Sequence, residues 1–175
     1  QQGKTYSRLW THRTANNVFY GVNLPNSVGG NFAYNPEFSD KFSLEGDDRN
    51  KQILKGPLFV RDPVTYQATN TPWIVDGVQV TLTREIELID PNTLDVGNDL
   101  KGRSQGYRSI KFYMDLKATK AQSRNQSNDV PIFRYADVLL MKAEAILRGA
   151  TATRGDTPAS LMNQIRTYVN APQVT

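Results

Sequence analysis

The stretch from Asp129 to Tyr168 constrains this chain more than any other part of it. Val130-Pro131-Ile132-Phe133-Arg134-Tyr135 is an extended lead-in, because proline disfavours helix at the residue before it. Beyond it Tyr135, Val138, Leu139, Lys142, Ala145 and Ile146 recur at helical spacing, with Leu140, Ala143 and Leu147 widening the stripe. Gly149, directly after Arg148, is a C-terminal stop. Thr157-Pro158 then supplies an N-cap followed by proline in the first turn, which opens a second helix. Leu161, Ile165, Tyr168 and Val169 form its buried face. Two helices joined by one short loop predict an antiparallel hairpin, and Ala136, Ala143 and Ala145 let a partner helix approach closely. One pair cannot bury its own stripe, and no second copy of the pattern occurs, so the pair is expected to belong to a larger stack.

The remainder is loop-rich. Asn16-Asn17, Pro25-Asn26 and Gly29-Gly30 punctuate the first fifty residues as turns, with short strands expected at Arg8 to Trp10 and Val18 to Val22. A short helix is expected between Phe38 and Gln52, with Phe38, Phe42 and Ile53 facing inward. Val78, Val80, Leu82, Ile86 and Leu88 alternate with polar residues, which predicts a half-buried strand over Val78 to Ile89. Asp76-Gly77 is a two-residue hairpin signal pairing it with Thr71 to Val75. A further strand is expected over Arg108 to Asp115, and a polar loop over Thr119 to Asn128. The fold class is therefore α+β: a loop-rich region with short strands over residues 1–130, then a helical hairpin over 131–170.

Composition narrows the chemistry. Of 175 residues 38% are hydrophobic, which makes a thin core for this length, and the net charge is +4. The positive excess gathers in Lys101, Arg103, Arg108, Lys111, Lys117, Lys120 and Arg124, interleaved with Tyr107, Phe112 and Tyr113. Such a cluster could neutralise phosphates, but no nucleic-acid motif accompanies it and a solvated face is the plainer reading. With no cysteine and one histidine, His12, there is no disulfide, no thiolate metal site and no His–His metal pair. Asp40, Glu45, Asp47 and Asp48 lack the spacing of a calcium loop and are expected to pair with Arg49 and Lys51. No metal or cofactor is expected. No apolar run approaches the length of a membrane span.

Three stretches, in order, resemble the SusD/RagB family of nutrient-binding proteins. The first is Phe38 to Lys51, an aromatic-acidic lead-in before Asp47-Asp48-Arg49. The second is Gly106-Tyr107-Arg108-Ser109-Ile110-Lys111-Phe112-Tyr113, similar to the strand before the family's last helical repeat. The third and most specific is Asp129 to Gly149 followed by Ala159 to Arg166, where Asn163-Gln164-Ile165-Arg166 matches the family's Asn-x-x-Arg. The usual Arg-Ala-Gly after it is replaced by Thr167-Tyr168-Val169-Asn170. The resemblance implies a mainly helical fold in which the hairpin is TPR-like, and an interior-to-late part of a longer parent with further repeats. It also implies a lipid-anchored protein on the outer face of a Bacteroidota outer membrane. Such a protein caps a SusC-type TonB-dependent transporter and passes it an oligosaccharide or oligopeptide without chemistry of its own.

Sugar rings offer flat C–H faces to aromatic rings and hydroxyls to amides and charged groups. Trp10, Tyr20, Tyr34 and Trp73, with Asn16, are accordingly the candidate ligand contacts. The competing use of Trp10 and Trp73 is to fill a core beneath loops. Arg134 with Tyr135, Glu144, Asn163 and Arg166 are assigned structural roles: Arg134 in a network holding the hairpin to the strand region, Glu144 facing Arg166 across the helices. Two other functions remain open: a helical scaffold that only docks a partner, and a glycosidase using Asp47 or Glu85.

Overall fold

The computed structural model describes residues 17–22, 30, 32–113, 115–116 and 131–175. The chain divides into two compact units, one of residues 1–42 and 52–128, the other of 43–51 and 129–175. The described residues mix helix and short strand, as an α+β chain does. No helix among them is long and apolar enough to cross a membrane.

The first unit is built from very short elements. Residues expected to be a strand instead form a one-turn helix, α1 (Asn17–Tyr20). It ends at Gly21, whose φ of +66° and approach to the Arg61 carbonyl leave no room for a side chain. A second turn, α2 (Pro36–Ser39), is capped by Asn35, whose side chain accepts from the Glu37 N–H at 2.9 Å. Among the described residues eight strands follow: β1 (Ile53–Leu54), β2 (Gly56–Pro57), β3 (Phe59–Arg61), β4 (Ala68–Pro72), β5 (Ile74–Val75), β6 (Val78–Gln79), β7 (Thr81–Leu82) and β8 (Arg108–Ser109). They pair antiparallel as β1–β8, β2–β7, β3–β4 and β5–β6. A helical turn, α3 (Leu100–Arg103), lies between the last two.

The Asp76-Gly77 turn forms as expected, with φ of +51° and +79°, the pair of positive angles that a tight hairpin requires. It joins only β5 and β6, since Thr71 and Pro72 belong to β4. The long strand over Val78 to Ile89 does not form. Its alternating run changes partner at Val80, from β5 to β2, and after Thr83 the backbone turns to the Ser104 carbonyl. Only Val80 and Leu82 of its apolar set are fully buried; Val78, Ile86 and Leu88 are exposed. Likewise, among the described residues of the expected strand to Asp115, only Arg108–Ser109 is a strand. The loop over Thr119 to Asn128 and the strand at Arg8 to Trp10 lie outside the described residues.

The core of this unit is Phe19, Tyr20, Leu54, Leu58, Trp73, Val80, Leu82 and Ile110. Trp73 is tied on both sides: its N–H donates to the Leu58 carbonyl and its own carbonyl accepts from Val80, both at 3.0 Å.

In the second unit, α4 (Tyr135–Leu147) and α5 (Pro158–Tyr168) form where the periodicity places them, in a hairpin-like pair. Thr157 Oγ1 accepts from the Ser160 N–H at 3.0 Å while Ser160 Oγ accepts from the Thr157 N–H at 2.9 Å, a reciprocal cap. Gly149 (φ +96°) and Asn170 (φ +56°) end the two helices. Within the two helices only Leu139, Ala143 and Leu161 are fully buried, with Ile146, Met162 and Ile165 against them. The wider expected stripe is corrected: Tyr135, Val138, Leu140, Leu147 and Tyr168 are exposed.

Candidate functional site

Aromatic residues of the first unit form a chain from core to surface. Phe19 lies 4.7 Å from Trp73 and 5.0 Å from Tyr20, ring centre to ring centre. Tyr20 meets Tyr113 edge-on at 5.6 Å, and Tyr113 lies 4.8 Å from Tyr66. The inner members are sealed: Tyr20 is 0% and Trp73 1% exposed. Tyr20 and Trp73 are therefore core side chains with no ring face open to solvent. The outer member, Tyr66, is 48% exposed.

Tyr66 is held by its hairpin. Asp62 Oδ1 accepts from the Val64 N–H, the Thr65 N–H and the Thr65 hydroxyl at 2.7–3.0 Å. The Tyr66 N–H donates to the Asp62 carbonyl and the Asp62 N–H to that of Gln67, both at 2.9 Å. These bonds fix Tyr66 at a φ of +61°, a region bulky residues rarely enter. The turn N–H groups hold the Asp62 carboxyl below its ordinary range. Burial pushes the Tyr113 hydroxyl up, while the nearby Arg61 charge pulls it down.

A second aromatic group surrounds Tyr34, which is half-buried. Its ring lies 5.2 Å from Phe38 and 6.0 Å from Phe42, and Phe38 itself is exposed. The Phe38 and Phe42 of the lead-in thus gather around Tyr34 at the surface. Arg84 donates to Asp40 through Nε at 2.9 Å and Nη2 at 2.7 Å, and also pairs with Glu85. Both acids raise the proton affinity of Arg84. Tyr34 is therefore the candidate that the structure places in an accessible aromatic patch with charged groups on the same unit. Trp10 and Asn16 lie outside the described residues.

Arg108, one of the basic cluster, is buried. Its Nη1 donates to the Phe32 carbonyl at 2.6 Å and its Nη2 to those of Arg103 and Gln105 at 2.9 and 3.0 Å. Burial draws its pKa down to about 10, which leaves it charged at neutral pH. It organises the backbone around α3.

In the second unit Asp47 is buried and accepts from the Arg49 N–H at 2.8 Å, Arg49 Nε at 2.9 Å and Arg49 Nη2 at 2.5 Å. These bonds hold its carboxyl below the usual range, and the Arg166 charge adds to the effect. Asp48 pairs with Lys51 and accepts from Asn170 Nδ2 at 2.5 Å. Of the four acids expected to pair with Arg49 and Lys51, Asp47 and Asp48 do so, while Asp40 pairs with Arg84 instead; among the described residues no group of three or more acidic or histidine side chains could hold a metal.

The structural residues of the hairpin find different partners from those expected. Arg134 bonds Asp137, with its N–H to Oδ2 at 2.9 Å and Nη2 to Oδ1 at 3.3 Å, a local cap rather than a tie to strands. Glu144 pairs with Arg148, one turn on, not with Arg166. Arg166 Nε donates to the Pro172 carbonyl, and Asn163 exchanges two 2.8 Å bonds with the Val174 backbone, so both hold the chain end against α5. Tyr135, Ala136, Leu139, Gln164, Ile165 and Tyr168 line a groove of about 420 Å³ between the helices.

Sequence reasoning passed over Tyr66 and placed Tyr113 only among the aromatics beside the basic cluster. The available signal was Arg61-Asp62-Pro63-Val64-Thr65-Tyr66, in which aspartate before proline marks a turn that would present the following tyrosine.

No curated protein and no solved structure matches the chain significantly. The model of the SusD family matches it over residues 2–175. The chain belongs to the SusD family.

Proposed function

We propose that this protein is a cell-surface nutrient receptor that caps a SusC-type TonB-dependent transporter and hands it an oligosaccharide or oligopeptide. The observation that carries the reading is the family match across 2–175, since the SusD family consists of nutrient-binding surface proteins associated with such transporters. The accessible aromatic patches at Tyr34–Phe38–Phe42 and Tyr66 support it, because both offer ring surface beside charged groups. A lipid anchor on the outer face of the outer membrane completes the reading. Glycosidase chemistry finds little support: Asp47 is chelated by Arg49 and Glu85 is paired with Arg84. Co-expression with a SusC-type transporter from the same organism, followed by purification through a tag on either partner, is expected to recover both. Independent purification of each, together with hydrolysis of an oligosaccharide that is abolished by Glu85→Gln, would overturn the proposal.

The scaffold reading rests on one feature, the exposed apolar residues of α4 and the groove beside them. It predicts that Tyr135→Ala and Tyr168→Ala abolish transporter recovery while ligand affinity is unchanged.

A further inference from the structure

We propose that the loop over residues 85–99 docks this protein on its SusC-type transporter, with Ile89 and Leu94 entering an apolar socket whose rim carries lysine and arginine. This rests on the nutrient-receptor reading and gives the partner of that reading a contact face.

The loop is ordered yet keeps aliphatic side chains in water. Ile89 is 71% and Leu94 74% exposed, and Ile86 and Leu88 of the same run are exposed too. The Ile89 N–H donates to the Asp95 carbonyl at 2.8 Å and the Asp95 N–H to the Asp90 carbonyl at 3.1 Å, which closes the loop on itself. Inside it Asp90 accepts from the Asn92 N–H at 2.9 Å and the Thr93 hydroxyl at 3.0 Å, and Asp95 from the Gly97 N–H at 2.8 Å. Asp99 accepts from the Gly102 N–H at 2.8 Å, which fastens the far end to α3. These bonds hold Leu94 at a φ of +54°, where an aliphatic side chain is strained. Glycine or asparagine would take that backbone more easily, so folding does not call for a leucine there. A single exposed leucine needs no explanation, but several large aliphatic residues gathered on one ordered loop mark a contact surface.

The charge states what covers it. Residues 85–99 contain five acids and no base, in a chain whose net charge is +4. Glu85 pairs with Arg84, while Glu87, Asp90, Asp95 and Asp99 pair with no base among the described residues. A lipid surface or a nucleic acid carries phosphate, which these carboxylates repel. The run holds no aromatic residue, so it offers no ring to a sugar. Aliphatic side chains among uncompensated carboxylates match a protein surface of the opposite sign, whose charge steers the approach while the apolar centre holds it.

The test uses the chain co-expressed with a SusC-type transporter from the same organism and recovered through a tag on the transporter. The wild type is expected to co-purify, and residues 86–96 to exchange backbone deuterium more slowly in the complex than alone. Leu94→Gly and Leu94→Asn suit the backbone, so each is expected to melt close to the wild type and, titrated against the purified transporter, to bind about tenfold more weakly. Glu87→Lys is expected to weaken binding by a factor that shrinks in molar sodium chloride. Undiminished binding by folded Leu94→Gly, or unchanged exchange over 86–96 in the complex, overturns the docking loop and leaves the receptor reading standing. Recovery lost with Tyr135→Ala and Tyr168→Ala but kept with Leu94→Gly does the same, because it moves the contact to the helix pair. A dimer of the chain that Leu94→Gly dissociates makes a second copy the occupant and likewise overturns the docking loop. Failure of the wild type to co-purify overturns both. The exchange comparison decides the matter even if the variants misfold.

Discussion

The two units reach order by opposite routes. The first has no described helix longer than one turn and no described strand longer than five residues, yet it seals Trp73, Tyr20 and Phe19 completely. The second has two regular helices of 13 and 11 residues but fully buries only three residues between them, and α4 leaves Tyr135, Val138, Leu140, Met141 and Leu147 exposed. Regular backbone and a dense core are thus separate achievements. In the first unit large aromatic side chains and turn bonds compensate for poor ladders. In the second the backbone satisfies itself, and its side chains are left with surface to cover.

The sharpest way to break this contrast is to empty each core in turn. Trp73→Ala removes the ring that Phe19 packs on and is expected to destabilise the chain by about 3–5 kcal/mol. Leu161→Ala should fall near the low end of its range, about 2 kcal/mol, because an open helix pair relaxes around the gap. Guanidinium denaturation of both variants checks the order. Equal losses would mean that the helix pair is as tightly filled as the aromatic core.

What was legible in the sequence divides along the same line. Helices α4 and α5 were visible because a 3.6-residue stripe, Gly149 and Thr157-Pro158 are local signals, set within a few residues of the structure they produce. The Asp76-Gly77 turn was visible for the same reason. The strand over Val78 to Ile89 was misread because alternation reports burial, not partner: Val80 and Leu82 do face the core, but β6 and β7 belong to different pairs. Val18 to Val22 looked extended because of its β-branched ends, whereas Gly21 closes a helical turn that inserts Phe19 and Tyr20 into the core. Of the candidate contacts, Tyr34 was legible as an accessible aromatic. Trp73 was legible only as an aromatic, since burial is a long-range property. Tyr66 was hidden because left-handed backbone is ordinarily assigned to glycine or asparagine. Nor could the sequence show that residues 43–51 join the helical unit, which depends on the Asp48–Asn170 bond and the Asp48 N–H to the Val169 carbonyl.

That segment provides the next test. Asp47→Asn weakens the Arg49 chelate and is expected to destabilise by about 1.5 kcal/mol, the low end for hydrogen bonds to a charged group, since the 41% exposed guanidinium is partly screened. Arg49 depresses the Asp47 pKa in the folded chain. The contribution is therefore complete above the ordinary value of 3.8 and vanishes as pH falls through the lower folded value. Thermal unfolding between pH 6 and pH 2 should show a smaller acid loss for Asp47→Asn than for the wild type. An unchanged acid limb would place the sensitivity in other carboxylates.

The smallest expected effect discriminates most finely, because it separates two accounts of the same glutamate. Its place between Ala143 and Ala145 set Glu144 against Arg166 of the second helix, a pair whose rupture in a buried setting would cost about 3–5 kcal/mol. In the structure Glu144 bonds Arg148 at 2.6 Å with both side chains largely in water, while Arg166 is turned to the Pro172 carbonyl. An exposed pair four residues apart is worth about 0.3–0.5 kcal/mol and weakens with salt. A double-mutant cycle of Glu144→Gln with Arg148→Gln should return that coupling, and it should fade in molar sodium chloride. The cycle of Glu144→Gln with Arg166→Gln should return none. A coupling above about 1 kcal/mol in the second cycle, insensitive to salt, would mean that the helices in solution bury a pair across their interface. The helical unit would then hold itself together by the kind of tertiary contact that distinguishes the aromatic one.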